Sequence, residues 1–267
     1  MQHGAVDPQR APTLTIAVLT HNEAQRVEAC LRSAAFADQV VVVDSGSTDA
    51  TVGIARSLGA EVHSHADWQG FAVQRNRLLQ HARGDYVFFL DADEVITPQL
   101  QQEIEAIVRS GERAVWRVRW RMVAFGRELK HYRSTSAVER LFRREMILRY
   151  EGVVHEGAIV EPADTPRRLM RARLLHHSRD SIHGSLAKLT QYVMLGAAKR
   201  ADAGKRGGVL RGLASGSAMF LRLYLLHGGI LCGGAGFLYC LFVALEAFFR
   251  YTALEYDRDS LSVRVTR

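Results

Sequence analysis

Asp91, Asp93 and Glu94 follow directly on the apolar run Tyr86-Val87-Phe88-Phe89-Leu90. Three carboxylates so close together are expensive to bury unless a cation or hydrogen-bond donors meet them. Carboxylates at alternate positions can reach a divalent ion and, through it, a diphosphate. The plainer reading is an acidic turn leading into a helix, since Thr97-Pro98 is a good N-cap and first-turn pair. The apolar run reads as a buried strand, which puts the acidic residues at a strand exit. In an open α/β sheet that is where ligands bind.

Two earlier strand exits carry polar clusters of the same kind. The run Leu14-Thr15-Ile16-Ala17-Val18-Leu19-Thr20 reads as a first buried strand and leads into His21-Asn22-Glu23, after which Val27, Cys30 and Leu31 have helical spacing. Val40-Val41-Val42-Val43 is a β-branched run ending on Asp44-Ser45-Gly46-Ser47-Thr48-Asp49, and Val52, Ile54, Ala55 and Leu58 continue with helical spacing to Gly59. Small side chains and backbone N–H groups at such a turn suit an anionic ligand, with helix capping by Thr48 or Asp49 as the plain alternative. A third strand over residues 60–65 and a helix over 71–82 bring the chain to the acidic strand. Strands alternating with helices predict an α/β fold with a mostly parallel sheet flanked by helices.

The motifs Thr20-His21-Asn22-Glu23, Val43-Asp44-Ser45-Gly46-Ser47-Thr48-Asp49, Gln74-Arg75-Asn76 and Leu90-Asp91-Ala92-Asp93-Glu94 resemble, in order and spacing, glycosyltransferase family 2 of the GT-A (nucleotide-diphospho-sugar transferase) fold. The resemblance implies that Thr20, Asn22 and Glu23 line the base and ribose of a nucleotide sugar, with Asp44 and Ser45 on the uracil or ribose side. It places Gln74, Arg75 and Asn76 in the same donor pocket. Asp91 would hold ribose or metal, and Asp93 would bind the Mg²⁺ or Mn²⁺ that bridges the diphosphate. Within the family the chain is most similar to glucosyltransferases of the inner-core heptose of lipopolysaccharide. That likeness rests on residues 138–144, on Tyr150-Glu151-Gly152-Val153-Val154-His155-Glu156 and on a glycine-rich apolar tail, where those enzymes carry Gly-Phe-Leu-Asp-Gly and this chain has Gly229-Ile230-Leu231-Cys232-Gly233.

Inverting transfer needs a carboxylate to take the proton from the acceptor hydroxyl while a metal stabilises the departing diphosphate. Glu156 ends a short β-type run and is the first choice of base. Glu139 is the rival, and its neighbour Arg140 makes a structural ion pair the plain reading for it. His155 is either a metal or diphosphate ligand or an ordinary strand-end histidine. His176 and His177 close another strand pattern and stay outside the main assignment. In residues 116–122, Trp116, Val118, Trp120 and Met122 alternate with Arg117, Arg119 and Arg121, which predicts a half-buried strand with a solvated arginine face and tryptophans available as sugar platforms.

The chain has 267 residues, 24% of them charged, enough for a sizeable core and against general disorder. Cys30, Cys232 and Cys240 lack metal-ligand spacing and read as apolar fillers. The net charge of +7 fits an anionic donor, a phosphorylated lipid acceptor and an anionic membrane surface, and no signature supports nucleic acid. Residues 1–12 read as a flexible arm without a signal-type apolar stretch, 13–110 as the nucleotide-sugar-binding half, 111–180 as the acceptor and catalytic part, and 181–267 as a helical, membrane-associating region. Residues 223–245 contain no Asp, Glu, Lys or Arg, yet glycines interrupt them and basic residues flank both ends, so two apolar helices on the cytoplasmic face of the inner membrane are expected, peripheral or monotopic.

The expected activity is therefore inverting, metal-dependent transfer from a nucleotide sugar such as UDP-glucose to a lipid-linked saccharide such as lipopolysaccharide core. The alternatives are a polyprenyl phosphate, polysaccharide or protein acceptor, and a non-catalytic membrane-bound nucleotide-sugar sensor. A glycosidase would need no nucleotide pocket, and a nucleotidyltransferase would open on a glycine-rich first loop, which Thr20-His21-Asn22-Glu23 is not.

Overall fold

The computed structural model describes residues 10–152 and 157–261, and the chain divides into two compact units, residues 1–120 with 136–176 and residues 121–135 with 177–267. The first unit begins with β1 (Leu14–Thr20), α1 (Val27–Ala34), β2 (Gln39–Asp44), α2 (Thr51–Ser57), β3 (Glu61–Ser64), α3 (Phe71–His81) and β4 (Tyr86–Asp91). The apolar runs form strands because both faces of the sheet are covered, as parallel strands require. β3, β2, β1 and β4 lie side by side in that order and run parallel. Their register sets Thr20 beside Asp44 and Leu19 beside Asp91, so the three polar strand exits share one edge.

The chain continues through β5 (Glu94–Val95), α4 (Pro98–Ser110), β6 (Val115–Ala124), β7 (Arg127–Glu128), β8 (Ala137–Arg143), β9 (Ile147–Glu151), β10 (Gly157–Val160) and β11 (Arg167–Arg179). Thr97 caps α4 by accepting from Leu100 N at 3.2 Å and Pro98 opens the helix, as the plainer sequence reading has it, and Gly111 at φ 67° ends it. Beyond β4 the sheet is antiparallel: β8 pairs with β4, β6 with β8, and β5 with β11, in the order β4-β8-β6-β11-β5. The sheet is thus mixed, its parallel part confined to β3 through β4. Only Ala92 and Asp93 separate β4 from β5, so the strands between them must curl back on themselves.

Alternate residues of the central strands feed two cores. Ile16, Val18, Phe88 and Leu90 pack with Leu31, Leu100 and Ile104 on one face, while Ala17, Val41, Val87 and Phe89 pack with Leu78 and Phe142 on the other. The register shifts between Trp116 and Arg117. The shift skips Arg140 on β8 and leaves the alternation of β6 intact: Trp116, Val118 and Trp120 pack on one core, while Arg117, Arg119 and Arg121 are half-buried rather than solvated.

At the β3 edge, Glu61 accepts from Arg83 at 3.1 and 2.7 Å and from Gln39 at 3.0 Å, and lies 2.9 Å from His63 Nε2. Arg83 above all holds this carboxyl down at about 2. A lowered folded value gives stability that is present above the unfolded glutamate value and lost as pH falls through the folded one. Glu61→Gln should therefore cost no more than about 1 kcal/mol at neutral pH, because Arg83 is solvent-exposed. In urea denaturation the difference from wild type should close between pH 4.5 and about 2; a constant difference over that window would count against the linkage.

The second unit contains α5 (Ile182–Asp202), α6 (Val209–Leu221) and α7 (Gly233–Tyr256), together with β7 and the adjoining ends of β6 and β11. α6 runs on through a wider turn at Arg222–Leu226, and a short 3₁₀ turn at Gly229–Cys232 precedes α7. The uncharged run of residues 223–245 is broken at Gly228, whose φ of 79° no continuing helix adopts. Two segments, Val209–Leu226 and Gly229–Tyr256, are long and apolar enough to cross a membrane.

Candidate active site

The exits of β1 and β2 are organised by the Asp44 carboxylate. It accepts from Thr20 Oγ1 (3.1 Å), Ser47 Oγ (2.5 Å), Gly46 N (3.0 Å) and Ser47 N (2.8 Å), and it is buried. Gly46 sits at φ 85°, and a Cβ there would lie 3.1 Å from Ala66, so the turn is fitted to glycine. Asn22, at φ 53°, accepts from Thr48 N at 2.9 Å through Oδ1, while its own N–H donates to Ser47 Oγ at 2.8 Å. Glu23 donates its N–H to Thr51 Oγ1 at 2.8 Å and pairs with Arg26 at 2.9 Å. Buried Gln74 donates to Ser45 Oγ at 3.0 Å. Thr20, Asn22, Asp44, Ser45 and Gln74 therefore form one hydrogen-bonded assembly across β1, β2 and α3.

Asn76 is placed differently from its motif neighbours. Its amide donates to Tyr150 O at 3.0 Å and accepts from Tyr150 N at 2.7 Å, pairing α3 with β9 as a strand would. Arg75 turns the other way and donates to Asp91 Oδ1 at 3.1 Å, with its guanidinium against the rings of Phe89 and Tyr150.

The acidic turn is met by a side chain from each strand of the curl. Arg140 of β8 is buried and donates to Asp91 Oδ2 and Glu94 Oε1, both at 2.6 Å. Trp120 of β6 donates its indole N–H to Glu94 Oε1 at 2.6 Å, and Glu94 Oε2 accepts from Asp91 N at 3.0 Å. His176 of β11 places Nε2 3.4 Å from Asp93 Oδ2, and its Nδ1 is buried without a hydrogen-bond partner. Burial would raise Asp91, but the guanidiniums of Arg140 and Arg75 hold its carboxyl well below the usual carboxylate range. Burial pushes the Glu94 carboxyl up against the pull of Arg140. Burial alone would lower His176, yet its hydrogen bond to Asp93 and the charges of Asp93, Glu94 and Asp91 keep it above the ordinary histidine value. Burial, then Glu94, Asp91 and Asp93, push up the Cys30 thiol, which stays protonated and only brushes Asp91 O at 3.6 Å.

This arrangement separates the three carboxylates by role. Asp91 and Glu94 are committed to Arg140, whereas Asp93 faces an imidazole. Oxygen and nitrogen donors about 3 Å apart suit neighbouring positions around a small divalent ion, which often takes one or two protein ligands and fills the rest with water and phosphate. Asp93 and His176 fit such an ion. Among the described residues, one cluster of three donors also occurs, Glu61 with His63 and His81, but its carboxylate is already taken by Arg83 and Gln39.

Arg140, Trp120 and His176 are the site residues that motif reading missed. Of residues 138–144, Glu139 and not Arg140 is the candidate read from sequence, and His176 is left outside the main assignment. Glu139 lies 3.1 Å from Arg167 Nε and is half-buried. Glu156 and His155 lie outside the described residues. The tryptophans have other neighbours: Arg168 covers Trp116 at 5.8 Å, and Trp120 is engaged by Glu94.

A sequence model described as "Glycosyl transferase family 2" matches residues 15–176. The lipopolysaccharide core biosynthesis glycosyltransferase LpsC of Rhizobium meliloti (strain 1021) is 27% identical over 258 residues, 94% of either chain. An uncharacterised glycosyltransferase of Rickettsia bellii (strain RML369-C) is 44% identical over 94 residues, which are 35% of this chain and 32% of that one. The mannosyltransferase PcManGT from Pyrobaculum calidifontis, in complex with GDP-Man and Mn²⁺, matches with a TM-score of 0.56 at 19% identity, covering 95% of this chain and 90% of that one. Of S. aureus TarS 1–349 in complex with UDP, the chain covers about half the length, 47%, at a TM-score of 0.40.

Proposed function

Because the chain belongs to glycosyl transferase family 2 and is a glycosyltransferase with a GT-A-like fold, we propose that it moves a sugar, with inversion, from a nucleotide sugar such as UDP-glucose to a lipid-linked saccharide at the cytoplasmic face of the inner membrane. The observation that carries the chemistry is Asp93 facing His176 beside an Asp91 already neutralised by Arg75 and Arg140. Lipopolysaccharide core is the acceptor class favoured by the match to LpsC along nearly the whole of both chains.

In this reading Asp93 and His176 hold Mg²⁺ or Mn²⁺, and Asp91 keeps its place at the exit of β4 through two arginines. When bound, the ion supplies the positive charge that stabilises the departing diphosphate. The Thr20, Asn22, Asp44, Ser45 and Gln74 assembly shapes the turn that receives the nucleoside, and Gly46 lets the backbone approach it. Glu156 takes the proton from the acceptor hydroxyl as that oxygen attacks the anomeric carbon. The ion pair of Glu139 with Arg167 favours Glu156 over Glu139 for this task.

The test is release of nucleoside diphosphate from a panel of nucleotide sugars, with Mn²⁺ or chelator, and with or without lipid extract. Metal-dependent release from one donor, stimulated by extract, is expected. Glu156→Gln should lower transfer at least about a hundredfold while leaving donor affinity within about twofold. Saturable donor binding without release from any donor would favour a sensor, and a fully active Glu156→Gln would remove that residue from the mechanism.

A further inference from the structure

We propose that α6 and the turn after it form a membrane-binding face that lies in the plane of an anionic lipid leaflet and does not cross it. The inference deepens the reading of a membrane-side acceptor by naming the surface that holds the enzyme there. It rests first on how α6 is turned. Gly212 and Gly216 face α7, where an added Cβ would come within 2.8 Å of Phe248 O and 3.1 Å of Ala244 O. The large side chains point away: Leu210 is 82% exposed, and Leu213 and Leu221 are each more than half exposed. A surface helix in water shows the reverse, burying its leucines and exposing small or polar residues. Small residues at the helix contact with large apolar ones outside is the arrangement of helices against lipid.

The apolar face continues beyond α6. Leu225, Leu226, Ile230 and Leu231 are all exposed, Leu226 at 76%. Charge supplies the complement. From residue 203 to residue 245 no Asp or Glu occurs, while Lys205, Arg206, Arg211 and Arg222 are all exposed. Basic residues beside an apolar face are held by anionic headgroups.

The polar ties of α7 weigh against a crossing. Just before the helix, Arg133 N donates to His227 O at 2.8 Å, and His227 Nδ1 lies 2.9 Å from Arg133 O. Tyr132 packs edge-on against Tyr239 at 5.1 Å. Midway, Glu246 accepts from Arg179 Nη2 at 2.5 Å, and near the end the Arg200 guanidinium lies 5.3 Å from the Tyr251 ring. Spanning with α7 would carry Glu246 and its Arg179 partner into the hydrocarbon or break their pairing, and α6 is packed on α7 through two glycines.

The experiment uses the full chain and flotation with vesicles of phosphatidylcholine, alone or mixed with phosphatidylglycerol. Wild type should float with the anionic vesicles and be released by alkaline carbonate. Leu213→Glu combined with Leu221→Glu, and separately Arg206→Gln combined with Arg211→Gln, should each weaken binding at least about tenfold. Leu148→Glu, at an exposed leucine of β9 in the other unit, should float as wild type does. Equal flotation of all variants, or retention after carbonate, would overturn the proposal. So would loss of self-association in the leucine variant when wild type does not bind vesicles, since the face would then join two copies. Donor hydrolysis without vesicles, measured on the same variants, keeps the two readings apart: these substitutions should not change it, and its absence from wild type would count against sugar transfer without touching the lipid result.

Discussion

Arg140→Met should cost about 3–5 kcal/mol of folding stability, the usual price of removing one partner from a buried ion pair. Among the described residues, Arg140 pairs with both Asp91 and Glu94, each at 2.6 Å. Without it, among the described residues, Glu94 keeps Trp120 and the Asp91 backbone N–H as donors, and Asp91 keeps Arg75. The buried Glu94 carboxyl, already raised by burial, should move higher still. A raised folded value means that the native state binds the proton more tightly than the unfolded chain. Stability is then fullest below the unfolded glutamate value and declines as pH rises through the folded one. The deficit of Arg140→Met against wild type should accordingly widen as pH rises above 4.5. Urea denaturation of both proteins at several pH values reads this directly, and an unchanged midpoint at neutral pH would show that Arg140 does not hold the acidic turn together.

The second large effect falls on turnover. Asp93→Asn preserves shape and removes one negative charge from the pair that faces His176 at 3.4 Å. Metal-dependent release of nucleoside diphosphate should fall by at least about a thousandfold, equivalent to roughly 4 kcal/mol of barrier. Equilibrium binding distinguishes loss of the ion from loss of the fold. Wild type should bind nucleoside diphosphate more tightly with Mn²⁺ than with chelator, and Asp93→Asn should bind it equally in both. His176→Ala should lose the same Mn²⁺ enhancement. A variant at Asp93 that kept its Mn²⁺ response would move the ion elsewhere in the site.

The first hundred or so residues were readable because local signals there agree with one another. Apolar runs at Leu14–Thr20 and Tyr86–Asp91 end on polar clusters, helical spacing follows, and Thr97-Pro98 marks the start of α4. Those signals gave β1, β4 and α3 within a residue. The shared edge followed from parallel pairing. What the sequence did not disclose is the antiparallel half, in which β8, β6 and β11 meet through register and not through pattern. Arg140 read as one arginine among many in a basic stretch, and nothing in Leu174-Leu175-His176 says which carboxylate lies opposite. The alternation in residues 116–122 matches the face of β6 that packs on the core, but the half-burial of its arginines depends on neighbours that a list of residue types does not show. Charge composition suggested anionic partners but could not tell that Arg75 and Arg140 are spent inside the protein on Asp91.

The curl of the sheet bears on how this enzyme comes into being. The strand carrying Asp91 is complete well before the ribosome delivers β8 and β11; Arg75 precedes it, but Arg140 arrives 49 positions later and His176 near the close of the first unit. Closing contacts so distant along the chain is slow compared with pairing of neighbouring strands. A nascent or truncated chain ending after α4 would contain every recognised donor motif and still present Asp91 and Glu94 without their shared counter-ion. The paired acidic turn is therefore a late product of folding, and the stretch most readily identified by its motifs should not assemble it as an isolated module.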